Sequence, residues 1–272
     1  MLETPNTLPT KKRGRPAGTK KTVETVPFDP SSINITKGKE LHYGASLFVP
    51  MKTKSEELNT ILSTDGGLMP ATNMILIGGP GTGKTTVTLD ALSGIQENGK
   101  RCLFISGEMD EIGYFKYCQR LPHFNNVEVL FLKNHAHEVK SVIEYVFREG
   151  YDVIAIDSIA EVLEMYKDSE NCSKTSNAET WFLGLQDKVK LGDNKLGINT
   201  SFINIQQVTK GGDFKGSNRL KHMTDAMAHL EVNLDKTKRT IHFSKNRDCD
   251  KEFKCCFTFY KDNVFYSYET IK

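Results

Sequence analysis

The sequence predicts an α/β fold: a mostly parallel central sheet covered by helices on both faces, with antiparallel strands at its C-terminal edge. Three observations predict it. Between residues 73 and 206, short near-continuous apolar runs alternate with helix-length amphipathic segments, as in buried parallel strands joined by crossover helices. The first of these runs feeds a glycine-rich turn that opens a helix. After Asp225 the pattern changes to short segments with period-two alternation, AHLEVNL, RTIHFSK and FKCCFTFY, which suits antiparallel strands with one solvated face.

Taken in order, residues 1–40 are rich in Thr, Pro, Lys and Ser, lack apolar periodicity and read as a disordered basic arm. Residues 41–272 read as one domain. ELNTIL is a short amphipathic helix ended by the turn at Asp65–Gly67, and NMILIGG (73–79) is a buried strand. Residues 84–98 form a helix stopped by Gly99. Strand RCLFIS (101–106) precedes a helix at 111–121, and VEVLFL (127–132) precedes one at 137–149. YDVIAI (151–156) leads into a broken helical region reaching Leu191, and SFINIQ (201–206) follows. No internal repeat interrupts the series.

Composition narrows the function classes. The 272 residues suit one sizeable domain with an appendage. The formal net charge of +2 hides an asymmetry: without the six basic residues of KKRGRPAGTKK (11–21), 30 basic residues face 34 acidic ones, a body of −4. Nucleic-acid contact is therefore expected from the arm or from particular loops. No run reaches the length of a membrane span, and the N-terminus lacks the apolar centre of a signal peptide. The six cysteines form no CxxC pair and suggest neither a zinc site nor a disulfide framework. A reduced, cytoplasmic protein is expected.

The chemistry concentrates in GGPGTGKT, Gly78 to Thr85, which contains G-x-x-x-x-G-K-T between a buried strand and a helix. The loop of Gly78, Gly79, Pro80, Gly81, Thr82 and Gly83 would curl around a triphosphate, its glycines letting backbone N–H groups point inward, with Thr86 continuing into the helix. Lys84 would neutralise the outer phosphates and Thr85 would ligate magnesium. Asp157, at the carboxyl end of YDVIAID, reads as a second magnesium ligand or as an ordinary helix cap. Glu108, in LFISGEMD, reads as a carboxylate that orients and deprotonates an attacking water, or as a helix-terminus acid.

The order GGLMPATNMILIGGPGTGKTT, LFISGEMD, VIAIDSIA resembles that of RecA-type P-loop ATPases. QVTKGGDFKGSNRLKHMTDAMAHLE followed by HFSKNRDCD is similar to the RadA branch of that family, and the resemblance covers roughly 56–260. It implies ATP with Mg2+ as cofactors, a homo-oligomeric ring or filament with ATP at subunit interfaces, and DNA as partner. Glu108 resembles the catalytic carboxylate and Gln207 the sensor of the terminal phosphate. Lys245 and Arg247 resemble cations that reach a neighbour's ATP, and the loop from Lys210 to Lys221 resembles a mobile DNA-binding loop. Read by charge alone, Lys210, Lys215, Arg219 and Lys221 face a single acid, Asp213, which suits a phosphodiester or a solvated loop equally.

Departures from the RadA pattern are plain. Gly-Pro-Lys is Gly216-Ser217-Asn218, the residues after Lys-Asn-Arg are Asp248-Cys249, and a Glu has become Lys221. No cysteine precedes Cys102 and the core ends near the C-terminus, so neither the family's zinc module nor its protease-like domain is expected; a stripped core of this kind resembles phage-encoded enzymes. The function implied is a DNA-dependent ATPase of recombination or repair. A replicative-helicase-like ring motor and an ATP-switched DNA-binding protein are the alternatives. In the arm, Arg13, Gly14, Arg15 and Pro16 are similar to an AT-hook, whose thin ribbon suits the narrow minor groove of A·T tracts. A nonspecific basic tail or an import signal would have the same composition.

Overall fold

In the computed structural model, alternate residues of NMILIG enter two different cores. Met74 and Leu76 join one apolar cluster, Ile75 and Ile77 the other, because successive side chains of a strand point to opposite faces. The structure describes residues 30–172, 174–208, 218–235, 238–249 and 253–270. Contacts divide the chain between His42 and Tyr43. The described part of the first unit holds two short 3₁₀ turns, Pro30–Ser32 and Gly38–Glu40.

The second unit runs α1 (Glu56–Leu62), β1 (Asn73–Gly78), α2 (Lys84–Glu97), β2 (Cys102–Ser106), α3 (Glu111–Arg120), β3 (Glu128–Phe131), α4 (Val139–Phe147) and β4 (Val153–Asp157). It continues α5 (Ile159–Ser169), α6 (Thr175–Lys190), β5 (Ser201–Gln207), α7 (Asn218–Met223), β6 (Ala226–Val232), β7 (Arg239–Asn246), β8 (Phe253–Tyr260) and β9 (Asn263–Thr270). The nine strands among the described residues form one sheet in the order β3-β2-β4-β5-β1-β6-β7-β8-β9. Strands β3 through β6 are parallel, and β6 through β9 pair antiparallel.

The expected antiparallel edge is therefore present, with two refinements. β6 is a junction, parallel to β1 on one side and antiparallel to β7 on the other. A fourth strand, β9, returns against β8. The broken helical region resolves into α5 and α6. Local chemistry fixes the helix starts: Ser55 caps α1 by accepting from Leu58 N, and Asp110 caps α3 by accepting from Gly113 N.

One core layer packs α1 and α2 against the sheet; the other packs α4, α5 and α6. Phe104, Phe147, Phe182 and Phe202 are wholly buried, each contributing about 1.5–3 kcal/mol through lost apolar surface. This rigid middle brings the carboxyl ends of the parallel strands level. Gly78 pairs with Gln207, and Ser106 with Asp157. Ligands of open α/β sheets bind at that edge, in the crevice between neighbouring strand ends.

Candidate active site

The phosphate loop joins β1 to α2. Gly83 is the N-cap of α2 at φ 105°, and among the described residues no side chain caps this helix. Its first N–H groups are thus left for an anion, with the helix dipole favouring negative charge. Glycine is required at 83 twice over: a side chain disfavours that φ, and a Cβ would lie 2.8 Å from Phe259 Cζ. Gly78 is needed for space, since a Cβ there would lie 2.7 Å from Thr82 Oγ1 and 2.8 Å from the Leu230 carbonyl oxygen. Pro80 and Gly81 are exposed at the loop's tip, while Thr82 Oγ1 donates to the Gly79 carbonyl at 3.0 Å.

Lys84 folds back under the loop, its Nζ donating to the carbonyls of Gly78 (2.9 Å) and Gly79 (3.0 Å). Burial pulls its pKa below the ordinary lysine value, opposed by the charges of Asp157 and Glu108. Thr85 Oγ1 donates to Asp157 Oδ2 at 2.5 Å. Asp157 therefore faces the loop, and Ser158 takes the N-cap position of α5. Burial raises the Asp157 carboxyl to about 6; Glu108 adds to the rise, while the Thr85 hydrogen bond and Lys84 oppose it. The following peptide, Asp157–Ser158, is cis. A hydroxyl and a carboxylate side by side are hard oxygen donors, and magnesium at phosphate sites takes one or two such protein ligands, completing its shell with water and phosphate. The pair fits that ion.

Glu108 stands just beyond β2, exposed above the same edge. Its turn is tied down: Gly107 N donates to the Asp157 carbonyl at 2.7 Å, and Ser106 Oγ bonds both the N–H and the carbonyl of Met109. Gln207 Nε2 donates to Glu108 Oε1 at 2.9 Å, so the carboxylate and the residue at the end of β5 are already joined. Lys133, which no sequence pattern marked, donates from Nζ to the Glu108 carbonyl at 2.6 Å. Its only sequence signal is its place just after β3, the next strand along the edge.

Other expected site residues lie elsewhere. Lys245 and Arg247 sit at the opposite end of the sheet: Asn246 pairs with Ala226, which pairs with Met74, whereas the loop begins at Gly78. Four strand residues span ~13 Å, too far for either cation to reach its own phosphate loop. Lys245 Nζ donates to the Thr224 carbonyl. Arg247 pairs with Asp225 at 3.0 Å, and Asp225 also holds Lys190 and accepts from Asn73 N. Arg219 and Lys221 are exposed on α7, with Arg219 Nη1 donating to Thr180 Oγ1. Arg13, Gly14, Arg15, Pro16, Lys210 and Lys215 lie outside the described residues.

Sheet order, phosphate loop and the three strand-end residues define a RecA-type P-loop protein. By sequence the chain is similar to bacterial DNA repair proteins RadA. The DNA repair protein RadA of Campylobacter jejuni is 28% identical over 200 residues, covering 74% of this chain and 42% of that protein. That of Mycobacterium tuberculosis is 25% identical over 217 residues, covering 79% and 43%. The chain thus spans less than half the length of these relatives. No family model matches. Among solved structures, the RadB recombinase superposes with a TM-score of 0.58 at 16% identity, covering 79% of this chain and 98% of that one. The flagellar accessory protein FlaH of Methanocaldococcus jannaschii does so at 0.57 and 13%, covering 81% and 98%. At such identities they establish the shared fold alone. No described helix is long and apolar enough to cross a membrane.

Proposed function

We propose that this chain is a magnesium-dependent ATPase that assembles on DNA and acts in recombination or repair. The observation that carries the reading is the joined set at one sheet edge: phosphate loop, Thr85 on Asp157, and Glu108 on Gln207. A simple binder would need the loop but not a carboxylate tethered to a strand-end amide.

In this reading Gly78 to Thr86, Lys84 among them, hold the triphosphate, and the buried ammonium leaves its two carbonyls for phosphate oxygens. Thr85 and Asp157 hold the magnesium, which when bound neutralises charge on the outer phosphates. Glu108 orients a water and takes its proton. Gln207, at the foot of the segment that leads toward Lys210, Lys215, Arg219 and Lys221, registers loss of the terminal phosphate by altering its bond to Glu108. Lys245 and Arg247, directed away from their own loop, serve a neighbour's site, so that turnover requires assembly. The RadA relatives, described as DNA repair proteins, support DNA as the partner.

The test is steady-state ATP hydrolysis by the full chain and by Lys84→Ala and Glu108→Gln. Loss of ATP binding in the first, and retained binding with turnover reduced at least about a hundredfold in the second, is expected. Undiminished hydrolysis in Glu108→Gln would transfer the assignment to an ATP-switched DNA-binding protein.

A further inference from the structure

The inner face of β8 carries Cys255, Phe257 and Phe259 in alternation. Cys255 and Phe257 are 0% and 1% exposed within the core, whereas Phe259 is 37% exposed. The apolar row leaves the core beside the phosphate loop. A Cβ built on Gly83 would fall 2.8 Å from Phe259 Cζ and 3.1 Å from Phe257 Cε2, so the last glycine of the loop lies directly against this ring. Phe257 meets Phe259 edge-on at 5.6 Å and fixes its tilt. From the start of β7, the Arg239 guanidinium lies 4.9 Å from the Phe259 centroid. Its Nε is buried without a hydrogen-bond partner among the described residues.

We propose that Phe259, backed by Arg239, is the platform on which the base of the bound nucleoside triphosphate stacks. The proposal rests on the nucleotide reading above and adds a base-recognition surface to it. The loop's backbone and Lys84 grip phosphates and carry no information about the base. Beyond the loop, the rim on the β2 and β5 side is polar, with Glu108 and Gln207. The rim on the β8 side offers an aromatic plane in contact with the helix N-cap. A half-exposed ring there, with a cation against it, matches what a nucleobase stacks on: a π-face reinforced by a guanidinium. Neither Phe259 nor the Arg239 stack reads hydrogen-bonding groups on a base edge. The surface therefore selects by stacking area, accepting adenine and guanine alike and disfavouring the smaller pyrimidines.

Binding of Mg-ATP, Mg-CTP and magnesium tripolyphosphate to the full chain separates base recognition from phosphate recognition. The variants are Phe259→Leu, which keeps apolar contact with Gly83 but removes the ring, and Phe259→Trp, which enlarges it. Phe259→Leu is expected to weaken ATP binding about tenfold, ~1.4 kcal/mol, with tripolyphosphate affinity unmoved. In a Trp181→Phe background, the Phe259→Trp indole is expected to be quenched by ATP and not by tripolyphosphate. Equal loss of ATP and tripolyphosphate in Phe259→Leu, loss of neither, or an indole indifferent to ATP overturns the platform. A wild-type chain that binds neither ATP nor tripolyphosphate overturns the nucleotide reading itself, and the platform with it.

Discussion

Asp157 pairs a functional need with a folding cost, and Asp157→Asn separates the two. The carboxyl is 7% exposed, and burial raises it from 3.8 to about 6. A carboxyl raised on folding holds its proton more tightly in the folded chain. It therefore contributes stability below pH 3.8 that is lost as the pH rises through about 6. At pH 7.5 the folded chain carries the anion at a cost of about 3 kcal/mol relative to the neutral form. Asparagine keeps an oxygen to accept from Thr85 Oγ1 and brings no charge. Its own desolvation recovers part of the difference, leaving an expected gain of about 1–2 kcal/mol, or roughly 2–8 °C in a chain of this length. Thermal unfolding without nucleotide at pH 7.5 and at pH 5 is the assay. The variant should melt above wild type at pH 7.5, the gap should narrow toward pH 5, and magnesium-dependent turnover should be lost. A variant that melts below wild type at pH 7.5 refutes the reasoning, because the carboxylate would then stabilise the fold through partners other than those seen.

Arg247→Ala and Lys84→Ala should each abolish turnover, but an equimolar mixture should regain up to about a quarter of wild-type activity if Arg247 serves a neighbour; a mixture as inactive as its parts refutes the action in trans. His229 and His242 stack at 5.2 Å across β6 and β7, and burial holds both below the ordinary histidine value, with Glu231 opposing in each case. Lys221 and Lys254 disfavour charge on His229 and His242 respectively. Their contribution to stability is present above pH 6.5 and lost as the pH falls below it, so a His229→Gln, His242→Gln double variant should flatten the melting profile between pH 7 and pH 5. Removing residues 1–25 should weaken duplex binding and shallow its salt dependence while leaving DNA-free hydrolysis intact; an unchanged salt slope counts against the arm as a DNA contact. Chelation of magnesium should stop hydrolysis and its readdition restore it, as seen by phosphate release.

What was legible in the sequence was what local chemistry specifies. The parallel strands announced themselves as apolar runs because both their faces are buried, and Gly78 to Thr85 because phosphate binding demands its glycines and Lys84 in fixed order. Asp157 was ambiguous between cap and ligand, since a strand-end acid serves either; the bond from Thr85 decides its orientation. The parallel pairing of β6 was hidden because its alternation, with Ala226, Ala228 and Leu230 buried, looks the same beside a parallel or an antiparallel neighbour. β9 has no sequence signature of its own, because NVFYSYET mixes aromatic and polar residues without a clean period, and its pairing comes from the hairpin with β8. Lys133 and Phe259 could not be found by motif at all. Their meaning comes from neighbours distant in the chain, the Glu108 carbonyl and Gly83.

If the edge joining the phosphate loop, Asp157, Glu108 and Gln207 is an ATP-hydrolysing site governed by DNA, its turnover must respond to both DNA and Glu108. The measurement that tests it most directly is the hydrolysis rate without DNA, with single strands and with duplex, for wild type and Glu108→Gln side by side. Magnesium-dependent turnover is expected to rise with DNA in the wild type and to be absent from the variant under all three conditions. Hydrolysis indifferent to DNA, or equal in both proteins, contradicts it.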